Sequence, residues 1–236
     1  MTQLSENPLI ALQPDGVEIP GGLKDLRRFL GWVHSAAFPE RGRVDWIAGR
    51  LEVDLSPEDL NTHGSPKSAI VGRLWSRVQE SGRGMVFIDR TRYSCRAADL
   101  SVEPDVLVLL VSTLQAGGAR LVPKASGEPG RFVEVEGRAD LVVECVSDSS
   151  EAKDTERLRR RYHDAGVPEY WLVDARKEPI DFQVLIRDEA HSADYRVAAL
   201  DERGFARSPL LGCGVRLERQ RHAAELVFFQ LELDER

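Results

Sequence analysis

Apolar positions recur along this chain with two alternating periods, and the switches between them mark out its elements. Leu23, Leu26, Leu30 and Val33 fall at helical spacing with Lys24, Arg27 and Arg28 between them, which predicts a helix over 23–34. Two strand-like runs, 43–47 and 50–55, flank Ala48-Gly49, a short glycine-bearing connection of the kind that joins hairpin strands. The helical period returns over 65–78, where Ala69, Ile70, Leu74 and Val78 share one side. Strands are predicted at 84–89, 91–95 and 102–111, and the Gly- and Pro-rich stretch 115–130 reads as a mobile surface loop. An apolar strand at 140–146, a turn at 147–150, a helix over 153–165 stopped by Gly166-Val167-Pro168, and a strand at 169–174 together form a β-α-β unit. Further strands are expected at 180–186, 194–200, 214–217 and 226–233. Residues 1–20, with Pro8, Pro14, Gly16 and Pro20 and no sustained period, read as an extended arm ahead of a single domain over 21–236. The fold class is α/β, with a mixed sheet flanked by helices.

Composition narrows the class further. With 236 residues, 42% hydrophobic and 30% charged, the chain can bury one good-sized core. No run approaches the roughly 18 apolar residues of a membrane span, and the start lacks the pattern of a secretory signal, so no membrane association and a cytoplasmic location are expected. Cys95, Cys145 and Cys213 are too far apart for a zinc pattern or a disulfide framework and read as packing residues. A net charge of −7 argues against a surface that clamps a polyanion over its whole extent. A local nucleic-acid site stays open, because a metal cluster that meets phosphate itself needs carboxylates.

Two acids break the apolar pattern: Asp105, in the run 102–110, and Glu144, in the run 140–146. An unpaired carboxylate in a core strand costs on the order of several kcal/mol, so something must compensate, either an ion pair or a cation. Alternation puts Asp140, Val142, Glu144 and Val146 on one face. If the Asp105 strand lies alongside, the two acids meet as hard oxygen ligands suited to Mg²⁺ or Mn²⁺. The following helix supplies a basic stripe, Lys153, Arg157, Arg160 and Arg161. Lys153, in its first turn, can approach a phosphate oxygen, while the arginines either track a nucleic-acid backbone or form a solvated face.

These residues carry a resemblance. Glu103-Pro104-Asp105-Val106, Asp140-Leu141-Val142-Val143-Glu144-Cys145-Val146-Ser147, Tyr162 and the run Ala165-Gly166-Val167-Pro168-Glu169-Tyr170-Trp171-Leu172-Val173-Asp174 resemble the bacterial "putative restriction endonuclease" family of the PD-(D/E)XK nuclease superfamily. Asp45-Trp46-Ile47-Ala48-Gly49, Ser56-Pro57, His63 and Ser208-Pro209-Leu210-Leu211-Gly212 are similar to its ends, so the likeness spans roughly residues 40–215. It implies a restriction-endonuclease-like core and a Mg²⁺- or Mn²⁺-dependent endonuclease. Asp105 and Glu144 would be ligands, Asp45 a third, outer ligand, and His63 either an accessory group or a structural hydrogen-bonding residue. DNA as substrate and a homodimer follow by analogy. Two positions depart from the pattern: the superfamily's lysine two residues after the second acid is Val146, and the family's lysine four residues before the tyrosine is Leu158. Lys153 is the candidate replacement, with Arg157 second. The rival reading is a catalytically inactive binding module on the same fold.

Overall fold

The computed structural model describes residues 10–12, 17–188, 193–221, 225 and 227–236. Of the expected arm, residues 1–9 and 13–16 lie outside the described residues, and β1 (Ile10–Leu12) and β2 (Val17–Ile19) pair antiparallel. The first predicted helix is α1 (Leu26–Val33), opened by Asp25, whose carboxylate accepts the Arg28 amide at 2.8 Å as an N-cap. The hairpin is β3 (Arg43–Ile47) and β4 (Arg50–Asp54), joined through Ala48 and Gly49 at φ 51° and 79°, the left-handed pair that matches the twist of the flanking strands. The second helix, α2 (Ser65–Leu74), is extended at both ends by π-type turns, Leu60–Gly64 and Trp75–Gln79. Asp59 starts it early by accepting the amides of Asn61 and Thr62.

Strands β5 (Gly84–Ile88), β6 (Arg92–Cys95), β7 (Leu100–Val102) and β8 (Val106–Leu110) follow. The strand expected over 102–111 is therefore corrected to two. Pro104 has no amide hydrogen to give a ladder, and the chain leaves one sheet at Val102 and enters another at Val106. Asp105 sits at that crossing instead of inside a strand. The expected loop 115–130 is also corrected: after the short α3 (Val111–Gln115), β9 (Ala119–Pro123) pairs antiparallel with β10 (Phe132–Gly137).

The β-α-β unit forms as expected. β11 (Leu141–Cys145) runs parallel to β12 (Glu169–Asp174), and the helix between them has a π-type turn over Lys153–Leu158 and a regular end, α4 (Arg159–Asp164). Gly166, at φ 77°, ends the helix in a Schellman motif: its amide reaches the His163 carbonyl at 3.0 Å and the Val167 amide reaches that of Tyr162 at 3.1 Å. The chain continues with β13 (Asp181–Ile186), β14 (Arg196–Val197), β15 (Ala206–Ser208), β16 (Cys213–Arg221) and β17 (Val227–Asp234). The strand expected at 194–200 shrinks to β14 and a bridge from Leu200 to Ala206.

Two six-stranded sheets, ordered β4-β3-β7-β6-β10-β9 and β14-β13-β12-β11-β8-β5, carry the architecture, with β15-β16-β17 as a smaller third. The second is mixed: β11 and β12 are parallel, and its other pairs are antiparallel. Its two faces are filled by alternate residues. Val142, Tyr170 and Leu172 pack with Leu158 and Tyr162 and with Tyr93, Leu100 and Val102 of the first sheet. On the opposite face, Leu141, Val143 and Trp171 pack with Ile70, Leu74 and Val78 of the second helix. Helix α1 covers the outer side of the first sheet through Phe29, Leu30, Val44 and Trp46. Among the described residues no helix is long and apolar enough to cross a membrane.

Candidate active site

The site lies where the chain passes from the first sheet to the second. Asp105 immediately precedes β8, and β8 pairs with β11 in a register (Val106 opposite Val143) that sets Asp105 beside Glu144. The Cys145 amide donates to Asp105 Oδ2 at 2.7 Å, fixing that carboxylate on the end of β11. Glu144 shares a face with Val142 and Val146, the alternation predicted, and is 1% exposed; its Oε1 accepts from the Tyr162 hydroxyl at 2.5 Å. Asp45 comes from β3 of the other sheet, buried, with Oδ1 accepting the Glu103 amide at 3.1 Å. The structure thus brings Asp45, Asp105 and Glu144 to one place.

Arg43 stands among all three. Its Nε is 2.9 Å from Asp45 Oδ2, Nη1 is 3.6 Å from Asp105 Oδ1, and Nη2 is 3.4 Å from Glu144 Oε2. The sequence reading missed this residue, although Arg43 and Asp45, two apart on a strand, necessarily share a face. Lys153 is buried, with Nζ 3.7 Å from Asp45 Oδ2 and 3.8 Å from Asp154 Oδ1. The helix is π-type over Lys153–Leu158, and Lys153, Asp154 and Leu158 are its buried residues. Leu158 itself is fully buried in the core. Asp154, also missed, is buried, with Oδ2 accepting from Ser150 at 2.5 Å and Oδ1 without a hydrogen-bond partner among the described residues.

His63, on the π-type turn before α2, joins the site. Its Nε2 lies 3.2 Å from Asp105 Oδ2 and its Nδ1 2.7 Å from Glu58 Oε1. Lys67, one turn on, is held by Glu58 and Asp89 at 2.6 and 2.7 Å. A cleft of about 680 Å³ opens over these groups, with Arg43, His63, Lys67, Asp105, Lys153 and Asp154 on its wall. The arginine stripe stands elsewhere. Arg157 is paired with Glu52 at 2.8 Å, and Arg160 and Arg161 both face Asp164, at 3.4 and 3.2 Å; none of the three lines the cleft.

The electrostatics divide the two strand-end acids. Burial pushes both carboxyls up. At Asp105 the His63 hydrogen bond, the Arg43 charge and the Cys145 amide outweigh burial and hold it well below the ordinary range. At Glu144 burial wins over Arg43, and the charges of Asp105 and Asp154 add to it, so its carboxyl is raised. Burial likewise raises Asp154. His63 is disfavoured as a cation by burial, but Asp105 and Glu58 outweigh this and raise it to about 9.

Among the described residues, no three His, Cys, Asp or Glu side chains stand close enough to hold a cation as placed. The donor chemistry nevertheless fits a hard divalent ion: Asp105 Oδ1 and Glu144 Oε2 both turn towards one positively charged group, the Arg43 guanidinium.

Two acids at neighbouring strand ends of a mixed sheet thus stand near a lysine from the following helix. The chain belongs to the Uma2 family, described as "Putative restriction endonuclease", which matches residues 27–217. Among solved structures it is similar to one described as a "putative nuclease belonging to DUF820" from Anabaena variabilis, at 18% identity and a TM-score of 0.57, covering 80% of this chain and 90% of that one. At that identity the likeness is one of fold. No curated protein matches the chain.

Proposed function

We propose that this protein is a metal-dependent endonuclease that hydrolyses phosphodiester bonds, with DNA as the first substrate to test. The observation that carries the reading is the meeting of Asp105 and the buried Glu144 at adjoining strand ends, with Asp105 and the Lys153 side chain lining one cleft. Asp105 and Glu144 would hold Mg²⁺ or Mn²⁺, with Asp45 behind them. A divalent cation held there supplies Lewis acidity towards water and phosphate. The chain's own groups do the rest. His63 and the Cys145 amide hold the Asp105 carboxylate charged and in one orientation. The Tyr162 hydroxyl fixes Glu144. Lys153, kept in place by Asp45 and Asp154, offsets negative charge that develops on the phosphate oxygens. Arg157 could serve only electrostatically, since a guanidinium keeps its proton at working pH. Arg160 and Arg161, on the same helix, would meet the nucleic-acid backbone beyond the cleft. A homodimer would supply a second site for the opposite strand.

Conversion of supercoiled plasmid in Mg²⁺ or Mn²⁺ tests the activity. Wild-type protein should nick it and stop on chelation, and Glu144→Ala should not cut; equal cutting by the two removes the proposal. Leu158 at the family's lysine position favours the second reading, an inactive binding module. Failure of folded wild-type protein to bind Mn²⁺ by calorimetry would favour that reading.

A further inference from the structure

The geometry points to Arg43 as a resident counter-ion that a divalent cation must displace from Asp105 and Glu144, an inference that rests on the metal-dependent reading above. Each acid has one oxygen already committed. Asp105 Oδ2 takes the Cys145 amide at 2.7 Å and faces His63 Nε2 at 3.2 Å, and Glu144 Oε1 takes the Tyr162 hydroxyl at 2.5 Å. The remaining oxygens, Asp105 Oδ1 and Glu144 Oε2, are the ones turned towards Arg43. An incoming cation and the guanidinium therefore compete for the same two atoms.

The distances say which contact yields. Charge-assisted N–H···O contacts settle at about 2.7–2.9 Å. Arg43 meets Asp45 at 2.9 Å, but its Nη atoms stand 3.6 and 3.4 Å from Asp105 and Glu144. One edge of the guanidinium is anchored on Asp45, and its fork engages the other two acids loosely. Arg43 is the first residue of β3, with its side chain 22% exposed on the cleft wall, so the fork can turn outward without disturbing the core. A divalent ion needs carboxylate oxygens at roughly 2.0–2.6 Å, too close for a guanidinium to remain between them. In the absence of a cation, Arg43 keeps buried acids from facing one another uncompensated; when one binds, it withdraws.

Calorimetric titration of the full chain with Mn²⁺ reads this competition. Arg43→Gln should bind Mn²⁺ about tenfold or more tightly than wild type, within the range usual for coupled sites. Lys67→Met is the control: it removes one positive charge from the same cleft wall, where the ammonium is paired with Glu58 and Asp89. Its gain should be several-fold smaller. Equal affinity in wild type and Arg43→Gln, or equal gains in the two variants, would overturn the exchange while leaving metal dependence intact. No binding by any of the three, each folded by circular dichroism, would instead overturn the metal reading and the inference with it. Should Arg43→Gln not fold, a crystal structure of wild-type protein with Mn²⁺ decides. The cation on Asp105 and Glu144 with Arg43 turned away is expected; the cation there with Arg43 still against both acids overturns the inference.

Discussion

Glu144 owes its place to Tyr162 as much as to its strand. The hydroxyl, from the helix that follows β11, donates to Oε1 at 2.5 Å inside the core. Tyr162→Phe should cost about 1–3 kcal/mol in urea unfolding, the penalty for leaving a buried acceptor unpaired, and an unchanged midpoint would show that the bond carries no weight. A second residue-scale expectation concerns acid. Burial pushes the Asp174 carboxyl up, but Arg176 at 2.9 Å and Lys177 at 3.3 Å more than offset it, leaving it below its ordinary 3.8. In the window below 3.8 the unfolded chain binds more protons than the folded one. The stability from this group is therefore complete above the unfolded value and is lost as pH falls through the folded value. Wild type should exceed Asp174→Asn in stability near neutral pH, and the gap should close as pH falls below 3.8 and through the folded value; a gap independent of pH contradicts the assignment. Asp105, Glu144 and Lys153 are legible as candidates from the strand and helix patterns, and Asp45 and His63 through the family resemblance. Arg43 was not singled out, because its partner Glu144 is 101 residues away and nothing local reports that approach.

Elements were legible wherever local chemistry and apolar period agreed. The hairpin at Ala48-Gly49 and the β11-helix-β12 unit are of this kind, each closed by left-handed residues at the turn. The misreadings came where the two signals conflicted. Val102 to Val111 is apolar almost throughout, but Pro104 divides it between two sheets. Gly117, Gly118, Gly127 and Gly130 suggested a loop, yet they bracket β9 and lead into β10, short strands whose Arg120, Glu134 and Glu136 blur the apolar alternation. The π-type turn at Lys153–Leu158 leaves no mark in the helical period, and both Lys153 and Leu158 are buried along it. Gly166 offers an element-scale test. An added Cβ would meet nothing nearer than Arg138 Cδ at 3.8 Å, so the penalty lies in the backbone at φ 77° alone. Gly166→Ala should cost about 1–2 kcal/mol in unfolding free energy and leave plasmid nicking unaltered; a loss of cutting without loss of stability would contradict this.

At the scale of the molecule, a net charge of −7 coexists with a cleft lined by Arg43, His63, Lys67 and Lys153. The acids that make the chain negative include those that hold these cations in place, so overall charge says little about what the cleft receives. The two sheets contribute separately to this arrangement: β3 brings Arg43 and Asp45, β11 brings Glu144, and Asp105 lies on the segment that joins the sheets. The following helix adds Lys153, whose Nζ is 3.7 Å from Asp45 Oδ2, while Leu158 stands where the resemblance expects a lysine. The most direct measurement is the single-turnover rate of Mn²⁺-dependent plasmid nicking by wild type and by Lys153→Met, each verified as folded. If Lys153 supplies the missing positive charge, the rate should fall about 100-fold or more, as expected on removal of a group that stabilises charge in the transition state. Cutting by Lys153→Met at the wild-type rate would contradict the assembled site.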